Sequence, residues 1–226
     1  MIIKKALIFD SGPLINFSIN GLLHVLEKLK QSFPGPFLIT NEVKLEIYDH
    51  PLTIRQFELG AMRINKLIEN KTLQFPQEFN IDIQKLRQST VKLTDEANYV
   101  FRADNEHIKI VSDAEMSCIA LAQILKSQNA QVMLAIDERT ARMLIEKPEN
   151  LQKLLSQHLH REVRQVSKLS NMQNLQCIRS SELIYVAHKK GLTNLEGKKA
   201  LEALIYATKF KGSSISWDEI EILKRL

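Results

Sequence analysis

The chain has little cysteine and no obvious zinc site. Its two cysteines, Cys118 and Cys177, are far apart in the sequence and fit no zinc-ligand spacing. The histidine pair His158 and His160 has no partner at helical i+4 spacing and no cysteine nearby, which argues against zinc. We therefore expect two free thiols in a reducing, cytoplasmic environment.

Long apolar runs are also missing. No window approaches 18 uncharged apolar residues, so no membrane span or membrane partner is expected. The first residues run straight into a predicted strand without a signal-peptide pattern, and the chain has no repeats or low-complexity tracts. With 44% hydrophobic and 25% charged residues, its composition is that of an ordinary globular protein.

Charge is unevenly distributed along the chain. Residues 1–150 hold 18 Lys and Arg against 19 Asp and Glu, whereas residues 151–226 hold 13 against 7. A near-neutral first part followed by a basic second part suits a polyanionic substrate such as nucleic acid, although a plain solvated surface explains the charges equally well. We predict a catalytic core at 1–146 and a basic, mainly helical part at 147–226 that completes or extends it.

Two apolar runs of the strand type end abruptly in a carboxylate. Residues 6–9 run into Asp10, and residues 131–136 run into Asp137. Predicted strands alternate with predicted helices, which favours an α/β fold with a central parallel sheet covered on both faces. Because the carboxyl ends of parallel strands share one edge, we expect Asp10 and Asp137 to meet there.

Other segments give coarser predictions. The patterns favour a helix over Glu42–Tyr48 capped by Asn41, and mainly helical structure over residues 80–107 and 147–171. A last strand is expected near 174–178. Three closing helices are expected at Ser181–Lys190, Asn194–Phe210 and Trp217–Leu226.

Two further acids are candidates for the same cleft. Glu46 follows the second predicted strand, with Glu42 on the same helix face as an alternative. Glu115 opens an Ala-rich helix, but Ser112 and Glu115 also match a capping box, which would leave the ligand role to Asp113. Similarly, Asp10 and Asp137 could be helix N-caps, and Glu46 could be a solvated helix residue.

Four carboxylates in one cleft require a counter-charge. Each raises the pKa of the others, and the hard cations Mg²⁺ or Mn²⁺ with oxygen ligands resolve this repulsion. Such ions hold a phosphate and activate a water for in-line displacement. The chemistry that follows is metal-dependent hydrolysis of a phosphodiester.

These features together resemble the PIN-domain family of metal-dependent ribonucleases. The resemblance is carried by a strand running into Asp10-Ser11, a Val-x-x-Glu helix from Val43 to Glu46, an Ala-rich helix opened by Glu115, and a strand into Asp137. The run Asp137-Glu138-Arg139-Thr140-Ala141-Arg142 and parts of the tail are similar to one prokaryotic branch, described as predicted nucleic acid-binding proteins. The segments 80–107 and 147–175 are longer than in the small toxin form, and the third acid is Glu.

The resemblance implies a three-layer α/β/α sandwich with a helical C-terminal extension. It also implies an endoribonuclease that uses Mg²⁺ or Mn²⁺. Its four catalytic acids would be Asp10, Glu46, Glu115 and Asp137, and Ser11 would support the metal site. Many members of the family are toxins of toxin–antitoxin pairs and many are dimers, so the implied partners are RNA, a small antitoxin protein and a second copy of the chain.

Basic residues near the acids are candidates for phosphate binding. Arg139 and Arg142 follow Asp137 and could pair with phosphate or with neighbouring acids, and Lys189 and Lys190 could contact an RNA backbone or be simply solvated. Two other functions stay open. One is a catalytically weak RNA-binding module, and the other is a receiver-like signalling domain, although no predicted strand near Asp137 ends in the lysine that such domains carry.

Overall fold

The computed structural model describes residues 3–168 and 175–226. The strands within these ranges are β1 (Lys5–Phe9), β2 (Phe37–Leu38), β3 (Phe101–Ala103), β4 (Glu106–His107), β5 (Gln131–Ala135), β6 (Val163–Gln165) and β7 (Gln176–Ile178). The α-helices are α1 (Ser11–Ile19), α2 (Leu23–Ser32), α3 (Asn41–Lys44), α4 (Arg55–Glu69), α5 (Ile83–Asn98), α6 (Asp113–Ser127), α7 (Arg139–Glu146), α8 (Leu151–Leu159), α9 (Ser180–Lys189), α10 (Lys198–Phe210) and α11 (Trp217–Arg225). Among these described helices, no segment combines the length and apolar character needed to cross a membrane.

A parallel four-stranded sheet forms the centre of the α/β fold. Its strand order is β2-β1-β5-β7, and all three strand pairs are parallel. In β1 the side chains from Ala6 to Phe9 are buried on both faces, which is the pattern of a parallel strand covered by helices. Helix α6 packs on β1 and β5, and α1 and α2 pack with α9, so the arrangement is compatible with three layers.

The order in which strands are added to the sheet reverses at β1, between β2 and β5. From β1 the chain crosses to β2 on one side, and it later returns to place β5 on the other side of β1. In open α/β sheets such a topological switch point opens a crevice beyond the carboxyl ends of the strands, where ligands bind. Asp10 directly follows β1 and Asp137 lies two residues beyond β5, so both residues flank this crevice.

The helical predictions for residues 80–107 and 147–171 are only partly correct. Helices α5 and α8 are present, but each is followed by short strands that pair with one another in an antiparallel sheet of order β4-β3-β6. Strands of two or three residues show no alternation that a sequence pattern can detect. They are stabilised by long-range pairing and by the burial of Phe101, Ala103 and Val163. Residues 169–171 lie outside the described ranges.

Several element boundaries also differ from the predictions. Thr40, not Asn41, caps the helix after β2, with its side chain accepting from the Val43 amide, and this helix continues as a π-helix over Leu45–Asp49. The helix expected from Asn194 begins only at Lys198, after Gly197 with a φ of 86°. The strand expected near 174–178 is confirmed as β7, although Asn174 lies outside the described residues.

Gly35 allows the loop before β2 to lie directly against β1. A Cβ added at Gly35 would lie 2.1 Å from the carbonyl oxygen of Lys5, whereas one added at Gly60 in α4 would meet only Ser18 Oγ at 3.6 Å. We expect Gly35→Ala to lower the free energy of unfolding by about 2 kcal/mol, because backbone must move to relieve the overlap. Gly60→Ala is the matched control and should raise it by about 0.5–1 kcal/mol, as expected for a helix interior. Urea denaturation checks both values, and equal effects of the two variants would contradict this explanation.

Candidate active site at the carboxyl ends of β1 and β5

Asp10 is a buried carboxylate with one oxygen unpaired. It is 3% exposed and caps α1, with Oδ2 accepting from the Gly12 amide at 3.5 Å. Its other oxygen, Oδ1, is buried and has no hydrogen-bond partner among the described residues. Burial, with a smaller contribution from the charges of Glu46 and Asp137, raises the pKa of Asp10 to about 7 against the opposing hydrogen bonds from the Ser11 and Gly12 amides. Capping and a functional role are therefore compatible at this residue.

Asp137 is equally buried but fully held in place. Its Oδ1 accepts from the Ser180 amide at 2.8 Å, and its Oδ2 accepts from Asn16 Nδ2 at 3.3 Å. Burial raises the pKa of Asp137, partly offset by hydrogen bonds from Ser180, Ser213 and Asn16. The alternative that Asp137 is an N-cap is wrong, because Glu138 caps α7 by accepting from the Ala141 amide.

Gly12 separates the two aspartates. A Cβ added at Gly12 would lie 3.4 Å from Asp137 Cβ and 3.6 Å from Asp10 Oδ2. Both aspartates therefore lie next to the first turn of α1. Both residues lie at the carboxyl ends of their strands, and the charge of Asp137 contributes to the raised pKa of Asp10.

Glu46 approaches this pair from the π-helix that follows α3. Ser11 Oγ donates a hydrogen bond of 2.6 Å to Glu46 Oε2, which links the residue after Asp10 to the third acid. Single π-helical turns within α-helices are frequent at functional sites, because the extra residue changes the direction of a side chain. Glu42 lies elsewhere, in a groove with Asn41 and Asp113.

Glu115 has two roles in the structure. It completes the capping box of α6, in which Oε2 accepts from the Ser112 amide at 2.7 Å and the Glu115 amide donates to Ser112 Oγ at 3.3 Å. Burial raises the pKa of Glu115 to about 8, with further contributions from the charges of Asp10 and Glu138. The cap therefore does not remove this carboxylate from the electrostatic field of Asp10.

Asp113 occupies a different surface. It is exposed at the start of α6 and lines the groove that contains Glu42, Leu45 and Arg87. Of the two candidates for the third acid, Glu115 is the one coupled to Asp10.

The donor chemistry at this edge fits a hard divalent cation. Carboxylate oxygens are the ligands that Mg²⁺ and Mn²⁺ prefer, and Oδ1 of Asp10 is a buried acceptor without a hydrogen-bond donor among the described residues. Within residues 3–168 and 175–226, no three His, Cys, Asp or Glu side chains stand close enough, as placed, to form a complete metal-binding group. An ion at this edge would therefore have to draw the acidic side chains closer together.

Sequence patterns missed the polar network that holds Asp137. Asn16 is fully buried in α1, and its Nδ2 contacts Thr208 O at 2.8 Å and Ser180 Oγ at 3.0 Å in addition to Asp137. A single asparagine within an apolar helical pattern carries no distinctive spacing. The one available signal is that a fully buried amide needs several partners.

Replacing Asn16 should therefore weaken both the fold and the position of Asp137. We expect Asn16→Ala to lower the free energy of unfolding by about 1–3 kcal/mol, because it leaves buried acceptors unpaired. Asn65→Ala is the control, since its amide contacts Glu69 at the surface, and it should change stability by less than about 0.5 kcal/mol. Thermal unfolding of the two variants is the measurement, and a neutral Asn16→Ala would contradict the proposed network.

The candidate phosphate-binding residues fall in two places. Arg139 and Arg142 line a groove beside Asp137. Arg142 also forms an ion pair with Glu146 at 2.8 Å, which is the alternative to phosphate binding that the sequence left open. Lys189 and Lys190 lie at the end of α9, where Lys189 Nζ donates to Leu226 O at 2.8 Å and lies 5.5 Å from the Tyr185 ring centre.

Known proteins add no evidence about this site. Neither the models of known protein families, nor the curated proteins, nor the solved structures with which the chain was compared gives a match. The proposed function therefore depends on the residues of this chain alone.

Proposed function

We propose that the chain is a metal-dependent endoribonuclease with a PIN-type α/β/α fold. The observation that carries the proposal is the pair Asp10 and Asp137 at the switch point of a parallel sheet, both buried, with Asp10 Oδ1 unpaired. The coupling of Asp10 to Glu46 and Glu115 adds two more carboxylates. Buried acids grouped at a ligand-binding edge are typical of functional sites. No positively charged side chain is among the main causes of the pKa shifts of these acids.

The four acids are the residues that would hold Mg²⁺ or Mn²⁺. When bound, the ion supplies the charge neutralisation and Lewis acidity that phosphodiester hydrolysis requires. Ser11 orients Glu46 through its hydroxyl, and Asn16 and Ser180 hold Asp137 in a fixed rotamer. Arg139 and Arg142, which line the neighbouring groove, would neutralise the phosphates of a bound strand.

The remaining parts of the proposal follow from the family resemblance. They are RNA as the substrate and a small antitoxin protein or a second copy of the chain as partner. A cytoplasmic location is instead proposed from the two free cysteines. The basic region 147–226 supplies β7 to the main sheet and the Ser180 amide to Asp137, so the proposed site draws on both parts of the chain.

A second candidate function is RNA binding with weak or no catalysis. Two observations favour it. Glu115 is engaged in the capping box of α6, and the acids of the described ranges do not form a closed ligand group. Such a module would keep the basic surface and lose the hydrolytic step.

One RNA digest separates the two candidates. A labelled single-stranded RNA is incubated with the chain and Mn²⁺, with or without EDTA, and the products are resolved on a denaturing gel. The proposal expects endonucleolytic fragments that EDTA abolishes. Fragments that persist in excess EDTA would contradict the metal-dependent mechanism, and intact RNA retained by the protein would favour the binding module.

A further inference from the structure

Cationic side chains outnumber acidic ones in the lining of a groove beside Asp137. We call it the basic groove and define it by Arg139, Arg142, Arg179, Lys209, Ser214 and Ser216. It has a volume of about 560 Å³, and its full lining contains five Lys and Arg residues against the two carboxylates of Glu146 and Glu219. Such a surface attracts anions, and its size accommodates more than a single ion.

Three buried polar atoms of the basic groove have no hydrogen-bond partner among the described residues. They are Arg142 Nε, Arg179 Nε and Ser214 Oγ. Arg179 is itself 5% exposed, and its terminal nitrogens are already paired with Glu182 and Glu219. Unpaired donors carry a desolvation cost, which phosphate oxygens entering the groove would relieve after small side-chain rotations.

The basic groove lies next to Asp137. The Ser214 amide donates to the Asp137 carbonyl at 3.2 Å, and Arg139 follows Asp137 by two residues. An anion held in the groove is therefore close to the backbone of Asp137, at the edge of the sheet where the candidate acids lie.

An exposed aromatic cluster adjoins the basic groove at Lys209. We call Tyr206, Phe210 and Trp217 the aromatic platform. Their ring centres are 5.8–6.4 Å apart, and Phe210 and Trp217 are 70% and 55% exposed. Lys209, which lines the groove, places its Nζ 4.4 Å from the Trp217 ring centre and donates to Ile215 O, so one residue joins the cationic and aromatic surfaces.

We propose that the basic groove and the aromatic platform together bind single-stranded RNA. Phosphates lie in the groove, and unpaired bases stack on Phe210 and Trp217. Alternation of cationic and aromatic side chains is the arrangement that single strands require, because every base offers a face for stacking and a duplex hides those faces. The inference deepens the proposed nuclease function and rests on it for the identity of the strand.

The chain provides its own probe for this surface. Trp217 is the only tryptophan, so its fluorescence reports directly on the aromatic platform. A short oligoadenylate RNA is titrated in EDTA, which keeps the strand intact, and a blunt RNA duplex of equal length is titrated in parallel. We expect saturable quenching by the single strand, little by the duplex, and weaker binding at higher salt.

Variants locate the binding by the anisotropy of a labelled oligoadenylate. Trp217→Leu and Phe210→Ala should each weaken binding at least about five-fold through loss of stacking. Lys209→Ala should weaken it and reduce its salt dependence. The control is Tyr99→Leu, which removes an equally exposed aromatic residue that pairs with His107 elsewhere on the protein and should leave binding unchanged. Circular dichroism confirms that each variant is folded.

Other outcomes would overturn the inference. Equal affinity for the duplex, or unchanged affinity of both aromatic variants, would do so. A third such outcome is a wild-type dimer in sedimentation that Trp217→Leu converts to a monomer without changing the affinity for RNA. The aromatic platform would then be a contact between two copies of the chain. Binding that follows these expectations without Mn²⁺-dependent cleavage supports the inference and overturns the nuclease proposal. Mn²⁺-dependent cleavage with unchanged RNA affinity of both aromatic variants does the reverse.

Discussion

Asp10→Asn and Asp137→Asn should each reduce Mn²⁺-dependent RNA cleavage by more than about 100-fold, since even outer-shell partners of a metal site contribute about 10–100-fold. Each substitution removes a buried charge that would hold the ion and keeps the size of the side chain. Cleavage rates measured with a labelled single-stranded RNA at saturating Mn²⁺ check this expectation. Unchanged cleavage by the double variant would contradict the nuclease proposal altogether.

The controls for this prediction come from the same chain. Asp95→Asn changes an exposed acid on α5 and should leave the rate unchanged. Glu115→Gln keeps the capping box, because Gln serves at that position too, and should still lower the rate. Asp113→Asn should retain activity, because Asp113 lines a separate groove. Loss of cleavage in Asp113→Asn together with normal cleavage in Glu115→Gln would make Asp113 the third acid.

In the absence of divalent cations, wild-type stability should fall as the pH rises from about 4 to 7. The pKa of Asp10 is raised from 3.8 to about 7 by burial. Between these values the folded chain keeps a proton that the unfolded chain has lost, so deprotonation favours unfolding. At 1.36 kcal/mol per pH unit, the difference corresponds to roughly 4 kcal/mol of destabilisation at pH 8. Glu115 and Asp137, whose pKa values are also raised, act in the same direction.

Asp10→Asn should remove the largest single part of this pH dependence. Urea denaturation in EDTA at pH 4 and pH 8 is the measurement. We expect the variant to be more stable than the wild type by several kcal/mol at pH 8, and by far less at pH 4. The exposed control Asp95→Asn should show no such pH-dependent gain. A variant that is destabilised equally at both pH values would mean that the Asp10 carboxylate is compensated in the fold.

Local sequence patterns predicted the features of the site that are determined within a short stretch of the chain. The buried strand before Asp10 and the one before Asp137 are recognisable because β1 and β5 are continuous apolar runs covered on both faces. Adjacent placement of their ends follows from parallel strand geometry. The Ser112–Glu115 capping box has a fixed three-residue spacing, and its prediction is confirmed.

The features that sequence patterns missed depend on contacts between distant segments. Asn16 reaches Ser180 and Thr208, which lie 164 and 192 residues away in the chain, and nothing in the neighbourhood of Asn16 indicates these partners. The sheet of β3, β4 and β6 likewise joins segments near residues 101 and 163. The basic groove and the aromatic platform assemble from α7, α10, α11 and the segment before α9, so no single motif contains them.

The direct test of the account is calorimetric titration of Mn²⁺ into the metal-free protein at pH 8. The central claim is that the acids at the ends of β1 and β5 hold a divalent cation. We expect saturable binding by the wild type and by Asp95→Asn, and loss of that binding in the Asp10→Asn, Asp137→Asn double variant. Wild-type binding that persists unchanged in the double variant, or a wild type that binds no Mn²⁺, would contradict the account.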